Sequence, residues 1–234
     1  MSEIEYHLGE LKIARTPGDP RRVMPVLPDS FGSILDLGCG IGQTLISCGL
    51  KPETFACGVD INAEALALGK ELSPHICFVC ARGERLPFPD RSFEVVISRV
   101  TLPLLHIPSA LKEIARVLKP GGYVWFTLHP FSMQREKIID AIRSMDLKSF
   151  VYQIYIVING ICFHLTGRQF RFPFKQKRCE SFQTIGGVTR AMRRAGFEQV
   201  RVEYGHFFVV TAVKEQRSPF TATKEEKICA ASAG

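Results

Sequence analysis

No apolar run in this 234-residue chain reaches the roughly 18 residues of a membrane-spanning helix, so no membrane span is expected. The opening residues, Met1-Ser2-Glu3-Ile4-Glu5, are acidic and hold no apolar segment of the secretory-signal kind. The expected setting is cytoplasmic. Cysteine pairs at zinc-ligand spacing are missing: Cys77-Phe78-Val79-Cys80 is a single C-x-x-C inside a predicted strand. No metal is expected, and the eight scattered cysteines read as reduced, buried small hydrophobes. Gly-Lys-Ser/Thr is absent, which excludes a phosphate loop. Acidic residues are in deficit, 23 against 30 Lys and Arg, for a net charge of +7. That balance suits a nucleic acid, an anionic surface or an acidic substrate, and equally a solvated basic face.

What is present begins with Ile34-Leu35-Asp36-Leu37-Gly38-Cys39-Gly40-Ile41-Gly42-Gln43-Thr44. An apolar run carrying an acid leads into three alternating glycines and a helix-competent stretch. The pattern predicts a strand, a tight turn and a helix start, a cradle where a chain without Cβ atoms comes close to a ligand. The dinucleotide fingerprint G-x-G-x-x-G fails, because the third glycine would fall on Gln43. Downstream, Phe55-Ala56-Cys57-Gly58-Val59-Asp60-Ile61-Asn62 predicts a second strand ending in Asp60, with Asn62 free to cap the next helix. Gly83-Glu84-Arg85-Leu86-Pro87-Phe88 leads towards Phe93-Glu94-Val95-Val96-Ile97-Ser98. A helix from about Ser109 to Leu118 then meets Lys119-Pro120-Gly121-Gly122, a stop signal.

These four segments, in this order, resemble the class I S-adenosylmethionine (SAM)-dependent methyltransferases over roughly residues 30 to 130. The nearest flavour is the small-molecule subgroup that includes quinone-biosynthesis enzymes. The resemblance implies SAM as cofactor. It places Asp36, Gly38, Cys39, Gly40, Gly42, Gln43, Thr44, Asp60, Ile61, Gly83, Glu84 and Ser98 around it, with Asp60 on the ribose hydroxyls. One position departs: where the family reads Asp-Ala-Glu, this chain has Arg82-Gly83-Glu84. Arginine only donates, so it cannot accept from the adenine amine.

Alternating strands and helices predict an α/β fold: a doubly wound, mostly parallel, seven-stranded Rossmann-like sheet with a cap insertion between strands five and six. The expected organisation is a leader over 1–29, the methyltransferase domain over 30–215 with its cap at 129–183, and a flexible tail over 216–234. Pro17, Pro20, Pro25 and Pro28 limit the leader to a short helical turn near residues 8 to 15. Tyr6 and His7 are its residues best able to reach a ligand. In the cap, Ile138, Ile142 and Met145 suggest an amphipathic helix. Two β-rich runs joined by Asn159-Gly160 then predict a hairpin, with an apolar lid helix as the alternative. The cap reads as an acceptor-binding cover or a dimerisation arm.

Methyl transfer is an in-line displacement, governed by alignment and the exclusion of water. A base is needed only where the acceptor must lose a proton early. His106 after strand four, His129 after strand five and His164 in the cap are the candidates, each with a structural role as its alternative. Arg99 is expected to hold an anionic acceptor or to pair with Glu84. The expected function is O- or C-methylation of a small aromatic or apolar acceptor by a monomer or homodimer. Arg168, Arg171, Lys175, Lys177, Arg178, Arg190, Arg193, Arg194 and Arg201, interleaved with Phe170, Phe172 and Phe174, keep an RNA or protein methyltransferase as a second reading. A non-catalytic SAM-fold binding protein is the third.

Overall fold

The computed structural model describes residues 2–129, 147–172, 179–205 and 207–216. Seven strands form one sheet: β1 (Ser33–Leu37), β2 (Phe55–Asp60), β3 (Cys77–Cys80), β4 (Phe93–Arg99), β5 (Leu118–Leu128), β6 (Phe197–Tyr204) and β7 (Phe208–Lys214). Their order is β3-β2-β1-β4-β5-β7-β6. Strands β1 to β5 pair in parallel, and β7 runs antiparallel between β5 and β6. The mostly parallel, seven-stranded expectation holds.

Strand alternation supplies two cores, because successive side chains point to opposite faces. Leu35, Leu37, Cys57, Val59, Val96, Val124 and Phe126 line one face. Helices α4 (Ile107–Val117) and α6 (Ile185–Arg194) cover it, burying Ile107, Ala110, Leu111, Ile114 and Val117, and Val188, Ala191 and Met192. Ile34, Ala56, Val95, Ile97 and Trp125 line the other face, under Leu45 and the segment carrying Val23, Leu27 and Phe31. Helix α2 (Gln43–Ser47) follows the glycine turn, and α3 (Ala63–Leu72) is capped by Asn62, whose side chain accepts from the Glu64 and Ala65 amides.

Three local expectations are corrected. The leader is not a short turn: α1 spans Glu3–Arg15, opened by a capping box in which Ser2 and Glu5 satisfy each other's backbone amides. The prolines all follow it and leave it intact. Helix α4 ends at Val117, because Leu118 is already extended and paired with Phe93; the Lys119-Pro120-Gly121-Gly122 stretch belongs to β5.

The third correction is the cap. Residues Leu147–Thr166 are one helix, α5, not a hairpin. Asn159 is fully buried in its middle. Its amide donates to the Glu180 carbonyl (2.8 Å) and the Tyr155 hydroxyl (3.2 Å), and its oxygen accepts from the Phe170 amide (2.9 Å). Gly160 leaves the space that the Phe182 ring fills. Asn-Gly is therefore a docking notch, in which tertiary hydrogen bonds outweigh turn propensity. By length and composition α5 passes the test for a membrane-crossing helix, against the expectation from runs alone, with 28% of its apolar window buried. The amphipathic helix expected near Ile138 to Met145 lies outside the described residues, as does the tail beyond residue 216.

Candidate functional site

The carboxyl ends of β1, β2 and β4 meet at the glycine turn. Leu37 ends β1, and the Gly38 and Cys39 amides donate to the Val59 carbonyl (2.7 and 3.1 Å). Asp60 at the tip of β2 ties the turn down: one carboxylate oxygen accepts from the Gly40 amide (2.8 Å), the other from the Asn62 amide (3.0 Å). Gly38, Gly40 and Gly42 all have positive φ, a region that L side chains rarely adopt. The space their missing Cβ atoms leave is taken by the protein itself: Thr101 at Gly38, His7 at Gly40 and the Phe78 ring at Gly42. The turn is thus gripped from the segment after β4, from α1 and from β3.

Beside this turn sits a set of buried polar atoms without hydrogen-bond partners. Both oxygens of Asp36, Oε1 of Gln43 and Nδ1 of His7 are buried and unpaired. Burial pushes the Asp36 carboxyl up to about 7; Arg99 opposes the shift and Asp60 adds to it. Buried polar groups ordinarily find partners. A run of unpaired acceptors beside a fixed turn is the arrangement a donor-bearing, cationic ligand completes.

The other predicted positions fall as follows. Cys39 is buried, its thiol directed at the Gly40 carbonyl and packed under Gly58, and burial raises its pKa well above normal. It offers a ligand no side chain. Thr44 is also buried, whereas Ile61 beside Asp60 is 72% exposed. Ser98 is fully buried and donates to the Leu37 carbonyl (2.9 Å), stitching β4 to β1. Gly83 packs tightly on Leu105 and Leu37. Glu84 faces Arg82 at 3.7 Å and accepts from the His106 amide at 3.4 Å. The Arg82 side chain is half exposed.

Arg99 does not pair with Glu84. Its side chain is 6% exposed and bound at 2.8 Å to Glu10 of α1. The next residue, Val100, has φ +66°, a conformation that costs a β-branched residue on the order of 1–3 kcal/mol. Its amide is held by Thr127 (2.8 Å), and the twist brings Thr101 onto the Gly38 carbonyl (3.3 Å).

The histidines divide by role. His106 caps α4: Nδ1 meets Ser109 at its hydroxyl (2.8 Å) and amide (3.3 Å), and Nε2 lies 3.3 Å from the Gln169 carbonyl. With both ring nitrogens engaged in the fold, the general-base expectation at His106 gives way to a structural one. At the end of β5 the His129 amide donates to the Gln183 side-chain oxygen Oε1 (3.0 Å), and the His129 carbonyl accepts from the Gln183 amide (3.1 Å). His164 bonds Thr184 (2.7 Å). His7, on the leader, is the one brought to the glycine turn. The Ser2-x-x-Glu5 capping box was the sequence signal for the helix that carries it.

The expected basic face is partly spent on structure. Arg190 and Arg194 donate to the His164 and Thr166 carbonyls at the end of α5. Phe170 and Phe172 pack on Tyr155 and Tyr152. Lys175, Lys177, Arg178 and Phe174 lie outside the described residues. Among the described residues no cluster of His, Cys, Asp or Glu is arranged to hold a metal ion.

A family model for the methyltransferase domain matches residues 35–126, from β1 through β5. The domain resembles the class I SAM-dependent methyltransferases in motif order and fold. The chain is 38% identical over 140 residues to malonyl-[acyl-carrier protein] O-methyltransferase of Marinomonas sp., covering 56% of this chain and 51% of that protein. It is 28% identical over 171 residues to demethylmenaquinone methyltransferase of Chlorobaculum tepidum, covering 71% and 65%. It thus spans between half and two thirds of the length of these relatives. Among solved structures, a Thermotoga maritima SAM-dependent methyltransferase, described as a possible histamine N-methyltransferase, shares the fold. Its TM-score is 0.57 at 20% identity, over 90% of this chain and 89% of that one. Human N-acetylserotonin methyltransferase, solved in complex with SAM, matches with a TM-score of 0.51 at 17% identity over 79% and 48%.

Proposed function

We propose that this chain is a cytoplasmic SAM-dependent methyltransferase acting on a small aromatic or apolar acceptor, organised as one domain over 30–215 with its cap at 129–183. The observation that carries the reading is the set of unpaired acceptors beside the glycine turn: both Asp36 oxygens, Gln43 Oε1 and His7 Nδ1. Buried acceptors without donors are costly, and SAM carries an ammonium and a sulfonium. Asp36, Gln43 and His7 would meet the cationic methionine end. Asp60 has lone pairs left for a diol after its two backbone bonds. Exposed Ile61 is an apolar surface for a purine. When bound, SAM supplies an electrophilic methyl carbon.

The chain's own contribution is binding, orientation and dryness. Asp60 fixes the turn, Thr101 and His7 hold it from two sides, and α1 covers it through the Arg99–Glu10 ion pair. Because His106 is engaged through both nitrogens, the reading favours an acceptor that arrives ionised. A carboxylate or phenolate oxygen needs no base, and an enolate-like ring carbon needs a proton acceptor only after the methyl has arrived, when the ring hydrogen leaves. The two curated relatives are named for an O-methylation and a quinone-type methylation, which supports O- or C-transfer.

Isothermal titration with SAM and S-adenosylhomocysteine tests the cofactor. Micromolar binding is expected, weakened at least tenfold in Asp36→Asn. Absence of binding by either ligand overturns the reading. Retained binding without turnover of any carboxylate, phenol or quinone acceptor would favour a non-catalytic binding protein.

A further inference from the structure

Helix α5 buries one face and leaves a second apolar face in solvent. Tyr155, Ile156, Asn159, Gly160 and Phe163 point into the protein. On the opposite side Leu147, Phe150, Val151, Ile154, Ile158, Ile161 and Leu165 are each 36% to 73% exposed. At helical periodicity these seven fall within an arc of about 100°. Half-exposed, they present on the order of 600 Å², above what a monomer leaves uncovered without a reason.

The stripe has two properties that identify its occupant. Leu147, Val151, Ile154, Ile158, Ile161 and Leu165 step by four and three alternately, the spacing of a helix–helix seam. The order is also palindromic about Ile156. Reversed, Leu147 falls on Leu165, Val151 on Ile161, and Ile154 on Ile158. A self-complementary patch is what a two-fold interface requires. Two copies would bury about 1,200 Å², the lower bound of a standard stable interface. A membrane surface fits less well. The only Lys or Arg on α5 is Lys148, whereas interfacial helices carry rows of basic residues beside the apolar face.

We propose that this protein is a two-fold homodimer joined by antiparallel α5 helices, with Ile154 and Ile158 of each copy meeting those of the other at the axis. The interface backs directly onto the Asn159 notch that anchors the segments around Phe170 and Glu180. It is independent of the cofactor reading, since titration with SAM reports nothing about it.

Sedimentation equilibrium of the full chain is expected to give a dimer at micromolar concentration. Ile158→Lys, at a half-exposed position, should raise the dissociation constant at least 100-fold while leaving the melting of the monomer unchanged. A second readout fixes orientation. In a Cys162→Ser background, Val151→Cys and Ile161→Cys chains should cross-link with each other when mixed and not with themselves, with the bridge located by peptide mapping. A monomeric wild-type chain overturns the proposal, as does a dimer that survives Ile158→Lys or self-cross-linking of either cysteine variant. A monomer that co-floats with liposomes through the same face assigns α5 to a membrane surface and also overturns it.

Discussion

The glycine turn and the α5 cap are opposites in how residues acquire meaning. At the turn, Asp60 from the next strand and His7 from the leader hold the backbone, and several buried polar atoms are left without partners. In the cap, Asn159 has every polar function engaged across the fold, by Tyr155, Phe170 and Glu180. The first region is set to gain from a ligand, and the second has already settled its hydrogen bonds internally. Unpaired buried groups mark where a protein awaits a partner, and satisfied ones mark where it has found itself.

The largest test of this contrast is Asp36. Its carboxyl rises from 3.8 to about 7 on folding, so between those values the folded chain holds a proton that the unfolded chain has released. Stability is therefore full below about pH 4 and declines as pH rises through about 7. The decline corresponds to about 4 kcal/mol at most. Denaturation of the ligand-free protein from pH 4 to 8 should show this slope, and Asp36→Asn should flatten it. SAM affinity should rise over the same window as the carboxylate forms.

Asn159→Ala comes next. Removing the amide strands the Phe170 N–H and the Glu180 carbonyl, at a cost of about 3 kcal/mol, read as a lower denaturation midpoint. Glu10→Gln should cost about 2 kcal/mol by leaving Arg99 without its charge partner. It should also expose α1 to proteolysis ahead of the core. Gly160→Ala separates the two readings of the cap. A methyl in a free helix gains about 1 kcal/mol, but here it meets the Phe182 ring and should destabilise by about 1 kcal/mol net. Smallest is Arg82→Asp, which should change stability by less than about 0.5 kcal/mol at this half-exposed position. Any gain in SAM affinity would show that an acceptor is missing there.

Much of the domain was legible because its signals are local. Val95-Val96-Ile97 is a buried strand wherever it sits in a parallel sheet, Asn62 caps the helix that starts beside it, and the order of motifs carries the topology. The misreadings have one cause. Asn159-Gly160 favours a turn by intrinsic propensity, but Glu180, 21 residues from Asn159, and Phe182 beside it supply what a hairpin partner would have supplied. His106 looked free because Gln169, which engages it, is 63 residues distant. Arg99 had Glu84 as its nearest charged candidate along the site, while Glu10 arrives from the leader.

By itself, the sequence determined the strand–turn–helix cradle, the acid at the end of β2, the doubly wound sheet and the family it resembles. These depend on periodicity, glycine conformation and capping, which act within a few residues. Tertiary structure alone decided that the leader closes over the glycine turn, that His106 is a cap, that residues 147–166 are a helix and that one of its apolar faces points outward from the single chain. Those outcomes depend on which distant groups satisfy a buried donor, acceptor or charge, and no local pattern records the address of a partner.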